Sequence, residues 1–228
     1  LIKSQILKTK FNVPRTKTAS IIIIEQIYNL IGLVIVSCLG LGLIMTFQIE
    51  FFQVTSFVIL GATIVLIFIL ILIKSRTAFE KVFQKFSKFK FISKYDLSYE
   101  ESYEVIKKSL NGKFLIFPTF LSAAYWIIES IVVYFVLLAF GVDILEFTTI
   151  IATYTSSIIL GVASFLPMGI GVTEGSLTGF FVLKGVDISL ALTIVIFIRI
   201  FTRWIGVGLG FILLKIIGGF SIESEKEN

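Results

Sequence analysis

Two long stretches without a formal charge limit what this chain can become. Residues 26–49 form one run of 24, and residues 51–73 form another of 23. A bilayer core of about 30 Å is crossed by roughly 20 apolar helical residues. Runs of this length read as membrane spans. A soluble all-α fold would leave several helices apolar on every side with nothing to cover them. The composition agrees: 57% of the 228 residues are hydrophobic and the mean hydropathy is +1.01, against about 45–50% apolar residues in soluble domains. The expected fold class is all-α, a polytopic integral membrane helix bundle.

The charges are distributed as a membrane topology requires. Residues 1–18 carry Lys3, Lys8, Lys10, Arg15 and Lys17 and no acid, and residues 74–113 carry ten Lys/Arg and five acids. The connectors near Glu50 and near Asp143 and Glu146 carry no Lys or Arg. This asymmetry follows the positive-inside rule and places the 74–113 loop on the cytoplasmic side of a cell membrane. The net charge of +5 is then a matter of orientation, and no nucleic-acid partner is needed to explain it. The absence of histidine and the single cysteine exclude an intrachain disulfide and argue against a zinc or histidine-based centre. Cys38 lies inside a span and is expected to pack there. No metal or cofactor is expected. No nucleotide-binding loop is present and no catalytic motif is seen, so the chain is expected not to be an enzyme.

Spans are expected at about 20–45, 54–73 and 114–140, from near Phe147 to a break, and at 188–214. Gly32, Gly40 and Gly42 in the first permit close helix packing. The polar segment 76–113 begins with Phe79, Val82, Phe83, Phe86 and Phe89 at helical spacing and Lys81, Lys85 and Lys88 on the other side. Two readings stand: an interfacial helix with its aromatics at the acyl boundary and lysines on anionic headgroups, or a cytoplasmic hairpin helix packed on its neighbour. A second helix follows, with Ser98 and Glu101 as a capping box, a stripe of Tyr99, Tyr103, Ile106 and Leu110, an i,i+4 pair of Glu104 and Lys108, and Gly112 as its stop.

The stretch FLPMGIGVTEGSLTGFF, residues 165–181, ends a charge-free run from 147 to 173. Pro167, Gly169 and Gly171 argue that the helix stops there. Gly171, Gly175 and Gly179 recur four apart, a face that another helix can approach closely. The helical piece from about 172 to 184 rises about 20 Å at ~1.5 Å per residue, too short to cross alone. A broken or re-entrant helix near 165–184 is expected. Broken backbone is tolerated at membrane depth only inside protein or beside a water-filled cavity, and the freed N–H groups and helix dipole there receive anions.

Charges inside the spans sharpen this reading, because one at mid-bilayer costs roughly 2.5–3.5 kcal/mol on insertion scales. Glu174 follows the break, Arg199 and Arg203 lie in the last span, and Glu129 lies in the third. The two arginines are four apart and share a helical face. That face is expected to point at the break, with Glu174 paired to one arginine and the other facing a cavity. Arginine suits phosphate and carboxylate through its planar fork. Plainer readings stand beside this: a purely structural Glu174–Arg199 pair, an Arg203 that snorkels to the interface, and a Glu129 that bonds a neighbouring hydroxyl or is protonated.

The pattern Pro167-x-Gly169-x-Gly171-x-x-Glu174, followed by Arg199 in the next span, resembles the flippase-like membrane region of lysylphosphatidylglycerol synthases. It is similar also to their stand-alone relatives, among them archaeal proteins linked to dolichol-phosphate glycan assembly. Trp126 with Glu129 fits a tryptophan–glutamate span of that family, and IIIIEQIYNL fits its acidic-Arg motif, except that Gln26 stands where arginine is usual. The resemblance covers the whole chain. It implies a single membrane domain over 1–228, N-terminally truncated, with a cytoplasmic or interfacial helical segment at 76–113. It also implies movement or recognition of an anionic lipid, either a phospholipid or a polyprenyl-phosphate-linked lipid. Glu174, Arg199, Arg203 and Glu129 would form the headgroup pathway, and Pro167, Gly169, Gly171 and Gly175 the broken-helix motif. The expected partners are membrane lipids with anionic headgroups; a homo-oligomer is left open. Two other functions fit broken membrane helices: a transferase acting on a polyprenyl-linked lipid and a secondary transporter of a small anion.

Overall fold

The structure is a computed structural model that describes residues 15–44, 49–87 and 99–216. Among these residues all regular structure is helical. The order is α1 (Arg15–Ile44), α2 (Ile49–Lys74), α3 (Arg76–Ser87), α4 (Tyr99–Ser109), α5 (Lys113–Ala139) and α6 (Phe147–Ala163). A 3-10 turn (Pro167–Gly169) leads to α7 (Val172–Leu183) and α8 (Ile188–Arg199). A π turn (Ile200–Trp204) then joins α8 to α9 (Ile205–Ile216). The chain is an all-α polytopic membrane helix bundle. Among the described residues four helical stretches are long and apolar enough to cross a membrane: Ser20–Gly42, Thr55–Lys74, Lys113–Ala139 and Ile188–Leu213. The expected fourth span is shorter. α6 stops at Ala163 after 17 residues, about 25 Å at ~1.5 Å per residue. Large apolar side chains such as Phe57 and Phe68 stand exposed, as lipid-facing residues do.

The described residues pack into two compact units. One lies within Leu1–Ile31 and Ile64–Leu121 and holds the polar segment. Here Phe79 of α3 packs on Tyr103 of α4, with ring centroids 5.4 Å apart. Tyr103 and Ile106 are buried, as the stripe requires. The Glu104 and Lys108 side chains form no ion pair. Lys107 lies over the Tyr103 ring instead, 5.5 Å from its centroid. An exposed i,i+4 pair contributes only a few tenths of a kcal/mol, too little to dictate the rotamers. Ser98, Phe89 and the side chains of Phe86, Tyr99 and Glu101 lie outside the described residues. The Tyr28 hydroxyl donates to the Ser109 carbonyl at 2.5 Å and lies 3.4 Å from the Phe114 carbonyl. That second contact has a cause: Pro118 has no N–H to give to Phe114, four residues earlier, so the carbonyl needs another donor.

The other unit comprises Gly32–Thr63 and Ser122–Ile217, and α6 is its centre. Every residue from Thr149 to Ile159 is buried. Leu33, Val36, Ile59, Val133, Leu137, Phe181, Ile194 and Ile198 share its core. Close approach is made where glycine allows it. A Cβ on Gly40 would lie 2.8 Å from Ile151 Cγ2, and one on Gly32 would overlap Ser122, whereas Gly42 faces open space.

α6 and α7 pack together as an antiparallel pair around the break. Gly161 of α6 meets Gly169 and Thr173, and Ala152 pairs with Phe180 further along. Lys184, just past α7, interacts with Glu146, just before α6. The glycine face of α7 does not pack as the sequence suggests. Nothing lies within 4 Å of a Cβ built on Gly171, Gly175 or Gly179. The glycines used for contact are Gly161, before the break, and Gly169, within it.

Candidate functional site

The break is assembled by its own residues. Pro167 begins the 3-10 turn, where its missing N–H is no loss. Gly169 has φ +65° and Gly171 has φ +84°, a region that costs a residue with a Cβ. Phe165 and Met168 also sit at φ +56°, a conformation of order 1–3 kcal/mol for a non-glycine residue. Such a backbone persists only where its surroundings hold it.

Glu174 and Arg199 do the holding. Glu174 is the third residue of α7. Its Oε2 accepts from the Gly171 N–H at 2.6 Å, the reciprocal half of a capping box. Its Oε1 accepts from Arg199 Nε at 2.5 Å. Arg199 Nη2 donates to the Met168 carbonyl at 2.6 Å. One guanidinium thus ties the end of α8 to both sides of the turn that starts α7. The Arg199 side chain is 5% exposed and that of Glu174 27%. From Ile188 to Arg199 the helix rises about 16 Å at ~1.5 Å per residue, half of a bilayer core.

Arg203 does not share this site. The π turn intervenes, with the Ile205 N–H bonding the Ile200 carbonyl five residues back. Arg203 meets a different set of partners, on α5. The expectation that both arginines face the break, with one left over for a cavity, is corrected here, because each has its own carboxylate. Arg203 Nη1 donates to Glu129 Oε1 at 2.6 Å and to the Tyr125 hydroxyl at 2.9 Å. Its guanidinium lies 5.6 Å from the Trp126 ring centroid, within cation–π range. Tyr154 donates to Glu129 Oε2 at 2.6 Å, and Tyr125 donates to Oε1. Glu129 does bond neighbouring hydroxyls, and it is a partner of Arg203 as well. Arg203 therefore does not simply snorkel outward.

Tyr125 and Tyr154 were not legible as site residues. Tyr125 carries a weak signal, being four residues before Glu129 on one helix face. Tyr154 carries none, since it stands within an apolar run and meets Glu129 only through packing of α5 on α6. Gly175 lies one residue past Glu174 with open space before it. Among the described residues no group of His, Cys, Asp and Glu is placed to hold a metal ion.

The arrangement is thus two carboxylate–guanidinium pairs in the helix interior, one at a backbone break and one among aromatic side chains. Comparison with known proteins agrees with the fold. The family described as "Lysylphosphatidylglycerol synthase TM region" matches residues 1–210. A UPF0104 membrane protein of Methanothermobacter thermautotrophicus is 35% identical over 99 residues, which is 43% of this chain and 29% of that relative. No solved structure matches. The chain belongs to the lysylphosphatidylglycerol synthase TM region family.

Proposed function

We propose that this member of the lysylphosphatidylglycerol synthase TM region family binds the anionic headgroup of a membrane lipid at the α6–α7 break and passes it between leaflets. The lipid is a phospholipid or a polyprenyl-phosphate-linked lipid, and no nucleotide is hydrolysed. The observation that carries this reading is the Glu174–Arg199 pair clamped across a broken helix in the middle of an apolar region. A purely structural pair needs no break, and a break needs no buried charge. Their coincidence makes a polar site where a continuous helix would have left hydrocarbon.

In this reading α6 and α7 form a re-entrant hairpin with the break as its tip. The headgroup enters at the break beside the Arg199 guanidinium while its acyl chains remain in lipid. Arg199 attracts the phosphate, and Glu174 balances the arginine when no headgroup is bound. The open glycine face of α7 lets the headgroup approach the backbone. The loop holding α3 and α4 is cytoplasmic, in keeping with its lysines.

The test is reconstitution of the protein into liposomes carrying reporter phospholipids or polyprenyl-phosphate lipids, followed with a membrane-impermeant quencher. Lipid movement that falls with Glu174→Gln supports the reading. A chemically altered lipid without movement overturns it in favour of a transferase, and uptake of a soluble anion in favour of a transporter.

A further inference from the structure

Arg199 uses only part of its guanidinium. Nε is taken by Glu174 and Nη2 by Met168, while Nη1 is buried and has no partner. A buried N–H without an acceptor is rare and unfavourable. In this unit the hydroxyls of Ser156, Ser157 and Thr178 are also buried without a partner, but they are uncharged, and other hydroxyls are satisfied within their own helix. Ser37, Ser130, Thr153 and Thr155 each return their hydroxyl to a carbonyl one turn back.

The position of Nη1 is defined by the two bonds beside it. They grip the third residue of α7 and the turn just before it, so Nη1 sits at the N-terminal end of a 12-residue helix. The first turn of a helix presents N–H groups that no intrahelical carbonyl can reach, together with the positive end of the dipole. Gly171 gives its N–H to Glu174, and Val172 and Thr173 follow it in the turn. Nη1 is itself enclosed, whereas the backbone of the turn is open. Gly171 and Gly175 are exposed, with nothing within 4 Å of the space their side chains would fill.

We infer that Nη1 of Arg199 and the first turn of α7 hold the oxygens of one phosphate group, with Glu174 as the resident counter-charge on the opposite edge of the guanidinium. The inference rests on the proposed lipid reading for the source of the phosphate alone. A phosphodiester headgroup and free phosphate present the same oxygens to these donors. The Glu129–Arg203 cluster is not part of this contact.

The test uses the purified protein in phosphate-free maltoside micelles at constant ionic strength. The probes are dihexanoylphosphatidylglycerol, inorganic phosphate and dihexanoylglycerol, with affinity read by calorimetry. The phospholipid is expected to bind and the uncharged diglyceride not to. Arg199→Lys keeps the charge toward Glu174 but has no Nη1, and is expected to weaken binding about tenfold or more. Glu174→Gln removes the competing anion and is expected to tighten binding severalfold. Gly175→Leu fills the open face of a helix that remains a good helix former, and is expected to block binding without lowering Tm. Should Arg199→Lys fail to fold, the last two variants decide. Equal affinity for the phospholipid and the diglyceride overturns the site, as does an affinity unchanged by the variants. Inorganic phosphate binding as tightly as the lipid supports the site and overturns the lipid reading. Arg199-dependent lipid binding without lipid movement in liposomes supports the site and overturns translocation.

Discussion

Two ion pairs among the described residues solve one problem in opposite ways. Both place a carboxylate and a guanidinium within an apolar helix bundle. The Glu129–Arg203 pair is built from side chains of α5 and the π turn, and both Glu129 oxygens are taken, by Tyr154 on one side and by Tyr125 and Arg203 on the other. The Glu174–Arg199 pair is built on a break and leans on backbone, through the Gly171 N–H and the Met168 carbonyl. It leaves Nη1 of its arginine without a partner. The pairs thus differ in which group is filled: Glu129 has both oxygens occupied, whereas Arg199 keeps a buried donor without an acceptor.

The difference predicts where mutation hurts. Glu129→Ala leaves Arg203 and two tyrosine hydroxyls without their shared acceptor. It should cost about 3–5 kcal/mol, seen as a large drop in Tm in detergent. Replacing Glu129 and Arg203 together by leucine should recover most of that loss; a double variant as unstable as the single one would break the contrast.

Glu174→Ala should cost less, about 1.5–3 kcal/mol for the charged hydrogen bonds lost, because its carboxylate is partly exposed. It should also loosen the break, measured as faster amide exchange over 164–174 against unchanged exchange in α5. A loss as large as that of Glu129→Ala would place the two pairs in one class.

Tyr154→Phe removes one donor from a filled carboxylate and should cost about 1–3 kcal/mol by thermal denaturation, without affecting the break.

The glycines give the smallest effects and a difference in sign. Gly175→Ala faces open space and should stabilise α7 by about 0.5–1 kcal/mol. Gly161→Ala places a methyl against Thr173 and should destabilise. If Gly161→Ala is tolerated as easily, α6 and α7 do not pack as described.

Much of this was legible in the sequence, and for physical reasons. A bilayer demands long apolar helices, so charge-free runs at 26–49 and 51–73 could mean little else. Pro167, Gly169 and Gly171 announce a break because few other residues take its dihedrals. Glu174 and Arg199 were brought together by economy, since each is expensive alone. Arg203 was misplaced because a spacing of four does not say which neighbouring helix meets each side chain, and nothing in the sequence marked α5 as its neighbour. The partners of Glu129 stayed hidden because Tyr154 lies 25 positions away and Arg203 lies 74, contacts made by packing rather than by period. The glycine face of α7 was read as a packing groove, yet spacing alone does not say whether a neighbour is there.

The most direct test is lipid movement in liposomes by the double variant Glu174→Ala with Arg199→Leu. With both charges gone together, no unpaired ion remains in the membrane. The protein should fold, with a Tm close to that of the parent, and should no longer move lipid between leaflets. A folded double variant that moves lipid at the parental rate would show that the charges at the break only hold the helices together.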